Sequence, residues 1–258
     1  QRLEICEKLF KEGIPAVYSV GLKNGFDEAK LLKEKGAEII LVDVAHGGMK
    51  LVKEIARKIK KDLKLYVIAG NIVTFDEANE YKKYDIDIAR VGVGPGGTCI
   101  TRLVAGTGFP QLSAVFETSE TGITVIADGG IKKSGDFAKA IAAGGTVAMI
   151  GSFFAGTDET PGLVKNGKKV TRGQASATYM KDNGVETGEF RSAEGVSLEV
   201  SVKGPVKNYV EELMGGLRSA MTYAGAKNIQ EFQKKSVFCL ISQSASKESA
   251  PWLLDSKG

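Results

Sequence analysis

Three observations predict an α/β fold built on a parallel sheet. Short, almost wholly apolar runs such as AEIILVDVA, LKLYVIAGN and ITVIADGG alternate with amphipathic stretches of 10–15 residues, the signature of repeated strand–helix–strand units. Strands apolar on both faces belong in a sheet that is covered on both faces. Thirty-two glycines beside only six prolines suit many strand–helix junctions and argue against disorder.

Taken in order, residues 2–12 carry helical spacing (Leu3, Cys6, Leu9, Phe10). IPAVYSVG is a strand ending in glycine, followed by an amphipathic helix over 26–35 closed by Gly36. The unit recurs as strand AEIILVDVA with helix 49–60, strand LKLYVIAGN with helix 75–84, and strand DIARVGVG with helix 110–120. It continues as strand ITVIADGG with helix 135–143, and ends in strand TVAMIGS, six strands in all. Only Thr121 and Gly122 separate helix 110–120 from the next strand, a tight crossover that suggests a deletion in the chain. Beyond Ser152 the repeat stops. LVKNGKKV predicts a hairpin around Asn166-Gly167, because both turn residues tolerate positive φ. Residues 171–195 are polar and without period, as a flap over a site would be. Helices are expected over 206–221 and 228–234, and residues 242–258 form a polar tail.

With 258 residues and 43% hydrophobic content, one sizeable domain with a full core is expected. The net charge of +4 is mild and its charges are interleaved, so at most a weak bias toward anionic ligands follows. No basic, aromatic-studded stripe points to nucleic acid, and no run of 18 apolar residues or signal peptide points to a membrane. The cysteines Cys6, Cys99 and Cys239 are odd in number and widely spaced, which favours a reducing, cytoplasmic setting.

The stretch VGVGPGGTCITRLVAGTGFPQLSA, residues 91–114, is the most informative. It follows a buried strand and leads into a helix at Pro110. Gly92, Gly94, Gly96 and Gly97 let the backbone bend through positive φ and approach a ligand closely. Cys99 sits at the crest, followed by Thr101 and Arg102. Backbone N–H groups and nearby cations are what make a thiol a nucleophile, and an inert packed cysteine is the alternative. Other strands also end in polar or glycine-rich turns: Asp43, Gly70-Asn71, Asp128-Gly129-Gly130 and Gly151-Ser152. Glycines there expose N–H groups suited to a phosphate.

At these residues the chain resembles the IMP dehydrogenase/GMP reductase family, whose cysteine loop reads close to GxGxxCxT[RK] and appears here as GPGGTCITR. The resemblance covers about residues 20–241 and is most specific in 92–114, 128–130, 149–152 and 191–195. It implies a (β/α)₈ TIM barrel with the first two strands missing from this sequence, plus a flap and C-terminal helices. Residues 1–241 would then be a single catalytic barrel domain with its flap at about 162–200, and Gln1 would fall in the helix after the barrel's second strand. Active sites of such barrels lie at the C-terminal strand ends, with phosphates after the last two strands.

By the same resemblance, Cys99, Thr101 and Glu194 would be catalytic. Asp128 would bind ribose, Gly129, Gly130, Gly151, Ser152 and Ser176 the phosphate, and Gly173, Arg191 and Ser192 the base. Asp43, Gly70 and Asn71 would lie beside a nicotinamide cofactor, and Gly94, Gly96 and Cys99 would offer carbonyls to a potassium ion. His46, the only histidine, would merely line the site, and Tyr223 would either approach the phosphate or pack in the core. The strings TGFPQLSAV and GEFRSAEG are similar to the reductase branch, and no Arg-Tyr pair like that of DRYFQ in the dehydrogenases occurs between Gly162 and Gly195. The implied reaction is NADPH-dependent reductive deamination of GMP to IMP and ammonia in a homotetramer. IMP dehydrogenase and a non-catalytic purine-nucleotide-binding protein are the alternatives.

Overall fold

The computed structural model describes residues 2–182 and 192–249. It begins with α1 (Arg2–Lys11) and β1 (Val17–Val20), then α2 (Gly25–Glu34), β2 (Ile39–Asp43), α3 (Lys50–Leu63) and β3 (Tyr66–Ile72). There follow α4 (Phe75–Lys83), β4 (Ile88–Val91), the single turn α5 (Thr101–Val104), α6 (Gln111–Ser119), β5 (Thr124–Asp128), α7 (Ser134–Ala142) and β6 (Val147–Met149). The six strands form one parallel sheet in sequence order, β1-β2-β3-β4-β5-β6, the architecture of a partial (β/α)₈ barrel.

Each strand presents one face to helices and one to the barrel interior. Ile40, Val42, Val67, Ala69, Ala89, Val91 and Val125 bury against the helices together with Val52, Ala56, Ile59 and Val115. The opposite parity builds a second, smaller cluster of Leu41, Ile68 and Ile126, with Ile39, Ile88 and Met149 packed on it. That second cluster is the inner layer. Its parity carries upward, so Asp43, Arg90 and Asp128 point to the same interior two residues beyond Leu41, Ile88 and Ile126.

The crossovers are capped locally. Thr74 starts α4 with a capping box, accepting from Glu77 N while the Glu77 carboxylate accepts from Thr74 N. The short link from α6 to β5 is continuous: Gly122 takes φ +76 and donates to Ser119 O at 2.9 Å.

Beyond β6, β7 (Lys168–Arg172), α8 (Ala177–Asp182) and β8 (Ser197–Ser201) precede α9 (Val206–Tyr223) and α10 (Ile229–Lys235). The expected Asn166-Gly167 turn forms, with φ of 50° and 72° and paired 2.9 Å bonds between Lys165 and Lys168. The expected hairpin does not extend from it. The strand after the turn pairs antiparallel with β8, from Lys168↔Ser201 to Arg172↔Ser197. Gly162 at φ +106 bends the chain away just before Leu163 and Val164, which stay exposed. Helix α9 closes the fold by packing on α7 through Ala138, Ile141 and Leu217, with Phe232 of α10 beneath. Among the described residues no helix is long and apolar enough to cross a membrane.

Lys64 caps α3 in the left-handed region, φ 55°, ψ 39°. A side chain there costs about 1–2 kcal/mol that glycine avoids, partly offset by glycine's greater freedom when unfolded. Lys64→Gly should therefore stabilise the protein by about 0.5–1 kcal/mol, read from the urea midpoint.

Candidate active site

Four adjacent strands deliver one polar cluster. Arg90 leaves β4 toward the interior, and its guanidinium spans two carboxylates: Nε donates to Asp128 Oδ2 at 2.9 Å and Nη1 to Asp43 Oδ1 at 2.5 Å. Between Arg90 and Asp43 in register lies Gly70 of β3. Any Cβ at Gly70 would come within 2.6 Å of Arg90 Cβ, so glycine at this position is what lets the arginine pass over its neighbouring strand. Asn71 completes the cluster by donating Nδ2 to Asp128 Oδ2 at 2.8 Å and to Gly92 O at 2.6 Å. Arg90, Asp43 and Asp128 have side chains only 14%, 20% and 20% exposed, where a charge needs a partner. Asn71 Oδ1 is buried with no hydrogen-bond partner among the described residues, an acceptor open to a donor.

The cysteine loop arches over these strand ends. Gly92 and Gly94 turn through φ +142 and +87 and Gly129 answers at +86; a Cβ on Gly129 would sit 3.2 Å from Gly96 N and from the Pro95 ring. Cys99 N donates to Gly96 O at 3.0 Å, which sets the thiol at the head of α5. The Sγ of Cys99 then donates to Thr101 Oγ1 at 3.2 Å, and Thr101 Oγ1 donates to Glu194 Oε2 at 2.7 Å. Residues 99 and 194 are brought together by backbone pairing. Ile100 N donates to Glu194 O at 2.8 Å, Val196 N to Thr98 O at 2.9 Å, and Glu194 N to Ala175 O at 3.0 Å. Gly195 is squeezed between these segments; a Cβ there would lie 3.0 Å from Ser176 N. The chain Cys99–Thr101–Glu194 is a path along which a proton can move off or onto the thiol.

The remaining residues divide. Gly130 (φ +80), Gly151 and Ser152 surround the ends of β5 and β6, and among the described residues their N–H groups have no protein acceptor, as an anion site requires. Gly173 packs against Thr98, where a Cβ would lie 3.0 Å from Thr98 Oγ1. Ser176 is only 2% exposed, and its hydroxyl lies 3.4 Å from Tyr179 N at the start of α8, so it is turned into that helix. Ser192 is exposed beside Glu194, and Arg191 lies outside the described residues. Tyr223 is 93% exposed at the end of α9, neither in the core nor at the cluster. His46 stands at the rim, Nδ1 3.6 Å from Glu77. In the loop expected to hold potassium, Gly96 O already accepts from Cys99 N, and the cationic Arg102 lies against Gly94. A separate cavity of about 640 Å³ lies beyond Gly151, between 155–163 and the β7–β8 sheet, away from Cys99.

Sequence reading missed Arg90. The signal was a single charge inside the apolar strand IARV, which burial allows only for a paired group.

Gly97 packs on Ser152, where a Cβ would come 2.8 Å from Ser152 Cβ. Gly97→Ala should lift the cysteine loop, lowering stability by about 1–3 kcal/mol and changing the iodoacetamide reactivity of Cys99 located by peptide mass spectrometry. Gly135→Ala, in open space at the start of α7, should change neither.

Comparison with known proteins follows the same lines. The profile of the IMP dehydrogenase / GMP reductase domain matches residues 13–252. The inosine-5′-monophosphate dehydrogenase of Methanocaldococcus jannaschii is 43% identical over 252 residues, covering 88% of this chain and 51% of that protein. The GMP reductase of Leishmania major is 40% identical over 245 residues, covering 88% and 50%. Among solved structures, GMP reductase from Trypanosoma brucei, as a cysteine-to-alanine variant in complex with guanosine 5′-monophosphate, superposes with a TM-score of 0.86 at 40% identity, covering 92% of this chain and 52% of that one. The chain spans about half the length of the relatives it matches. On fold and sequence alike, the chain belongs to the IMP dehydrogenase/GMP reductase family.

Proposed function

We propose that the protein is a GMP reductase, catalysing GMP + NADPH + 2H⁺ → IMP + NADP⁺ + NH₄⁺, with residues 1–241 as its catalytic barrel domain. The observation that carries this reading is the Thr101 hydroxyl held between the Cys99 thiol and the Glu194 carboxylate, at 3.2 and 2.7 Å. Reductive deamination needs a nucleophile for purine C2 and a proton for the departing amine, and this relay supplies both.

In the mechanism, Cys99 passes its proton to Thr101 and Glu194 and attacks C2 of GMP. The relay then returns a proton to the 2-amino group, so that ammonia leaves and a cysteine–purine thioether remains at an unsaturated C2. The nicotinamide cofactor, when bound, supplies the hydride that reaches C2 and releases the thiolate. Asp128, its Oδ2 committed to Asn71 and Arg90, keeps Oδ1 for the ribose hydroxyls. Gly130, Gly151 and Ser152 offer their N–H groups to the phosphate. The unpartnered Oδ1 of Asn71 beside Asp43 suits the N–H or O–H donors of a carboxamide or ribose, so Asp43, Gly70 and Asn71 are assigned to the cofactor. Gly173, Ser192 and Arg191 remain assigned to the base. Ser176, with its hydroxyl in α8, supports the loop around Gly195.

The second reading is IMP dehydrogenase, favoured by relatives of that name at 39–43% identity. It needs a residue to activate water, and residues 162–195 contain no Arg-Tyr pair.

Absorbance at 340 nm with the full-length protein separates them. Loss of NADPH with GMP, with ammonia appearing, is the expected result, and Cys99→Ala should abolish it. NADH formation from IMP and NAD⁺ would instead establish the dehydrogenase. Glu194→Gln should lower kcat by about 10²–10⁴ while GMP still binds, as expected for a proton-transfer group. The family reading also carries a cytoplasmic homotetramer, and light scattering that gives a stable monomer would contradict the assembly.

A further inference from the structure

We infer that Arg90 is the positioning residue of this site: it fixes the nucleotide-side carboxylate Asp128 and the cofactor-side carboxylate Asp43 as one charge-balanced unit. The roles of the two carboxylates rest on the reading above; the charge pairing does not.

Three observations carry it. First, one guanidinium serves both acids through different nitrogens, Nε to Asp128 and Nη1 to Asp43, at 2.9 and 2.5 Å. A rigid planar fork fixes the directions of both bonds at once; a lysine ammonium can also reach two carboxylates, as Lys60 does with Asp85 and Asp87, but on a flexible stem that leaves their directions unset. Second, the register makes room for it. Gly70 stands between Asp43 and Arg90, and a side chain there would collide with Arg90 Cβ and with its carbonyl oxygen, both at 2.6 Å. Third, the three groups are largely shielded, so without the cation two carboxylates would face each other in a poorly solvated interior. Asn71 is neutral and cannot replace that charge.

The consequence for binding is geometric. Because Arg90 and Asn71 both hold Asp128 Oδ2, the carboxylate is kept in one orientation and its other oxygen is left for a ligand. Arg90 thus acts through Asp128 and Asp43.

The test is a charge-balance cycle on full-length protein. Arg90→Met keeps the side-chain length and removes the charge; Arg90→Lys keeps the charge without the fork. Asp43→Asn is made in both the wild-type and Arg90→Met backgrounds. Stability of the nucleotide-free proteins is read by urea unfolding, and dissociation constants for GMP and IMP by calorimetry. The two nucleotides share the ribose 5′-phosphate, so the affinity arm does not depend on which reaction is catalysed. In the wild-type background Asp43→Asn should destabilise, because it removes a partner of Arg90. In the Arg90→Met background the same change should stabilise, because it removes a like-charge neighbour of Asp128. Arg90→Met should weaken both nucleotides about tenfold or more, with Arg90→Lys recovering part of the loss. A merely structural arginine would not give that sign reversal.

Equal destabilisation by Asp43→Asn in both backgrounds would overturn the inference, as would wild-type nucleotide affinity in a folded Arg90→Met. Should Arg90→Met fail to fold, Arg90→Lys decides by nucleotide affinity: severalfold weaker binding of both GMP and IMP by the folded variant upholds the inference, and wild-type affinity for both overturns it. A sign reversal in a protein that binds neither GMP nor IMP would uphold the charge pairing and overturn the functional reading.

Discussion

The Arg90 bridge between Asp43 and Asp128 constrains the rest of the site. The strand period of two turns these three residues inward at the same end of the sheet, above the apolar layer of Leu41, Ile68 and Ile126. One cation among two acids is tolerable at that depth, whereas either acid alone with the arginine removed is not. The glycine at 70 and the amide at 71 follow from it: the first must be small, and the second must donate to Asp128. Gly92 then bends the chain over the cluster, so the cysteine loop begins where the charged floor ends.

Above that floor, the catalytic candidates are held by backbone pairing more than by side chains. Cys99 and Glu194 are 95 positions apart in sequence, yet Ile100, Val196 and Gly195 stitch their segments together. Such an arrangement places the Glu194 carboxylate within reach of the thiol through Thr101, which can donate to Glu194 only when the 194–196 segment is in place.

Much of this was legible in the sequence. All six parallel strands stand out as short, mostly apolar runs alternating with amphipathic helices, and the cysteine loop announces itself by glycine spacing. The pairing of β7 with β8 was not legible. The Asn166-Gly167 signal is local and says only that the chain turns, while the partner of the following strand is chosen thirty residues later by the alternation SLEVS. Helix α5 is one turn long and below what periodicity detects. Arg90 was hidden for a related reason: scored as part of an apolar strand, its charge was averaged away, although a lone buried charge always demands partners. Ser176 was named by a motif match alone, and no local signal showed that its hydroxyl would lie 3.4 Å from Tyr179 N at the start of α8.

In the proposed reaction, purine C2, held at Cys99, is the carbon that is reduced. NADPH deuterated at both C4 positions tests this most directly, with the nucleotide product examined by proton magnetic resonance. IMP with deuterium at C2 and the C2–H signal lost is the expected result. IMP with a full C2–H signal, or no conversion of GMP at all, would contradict it.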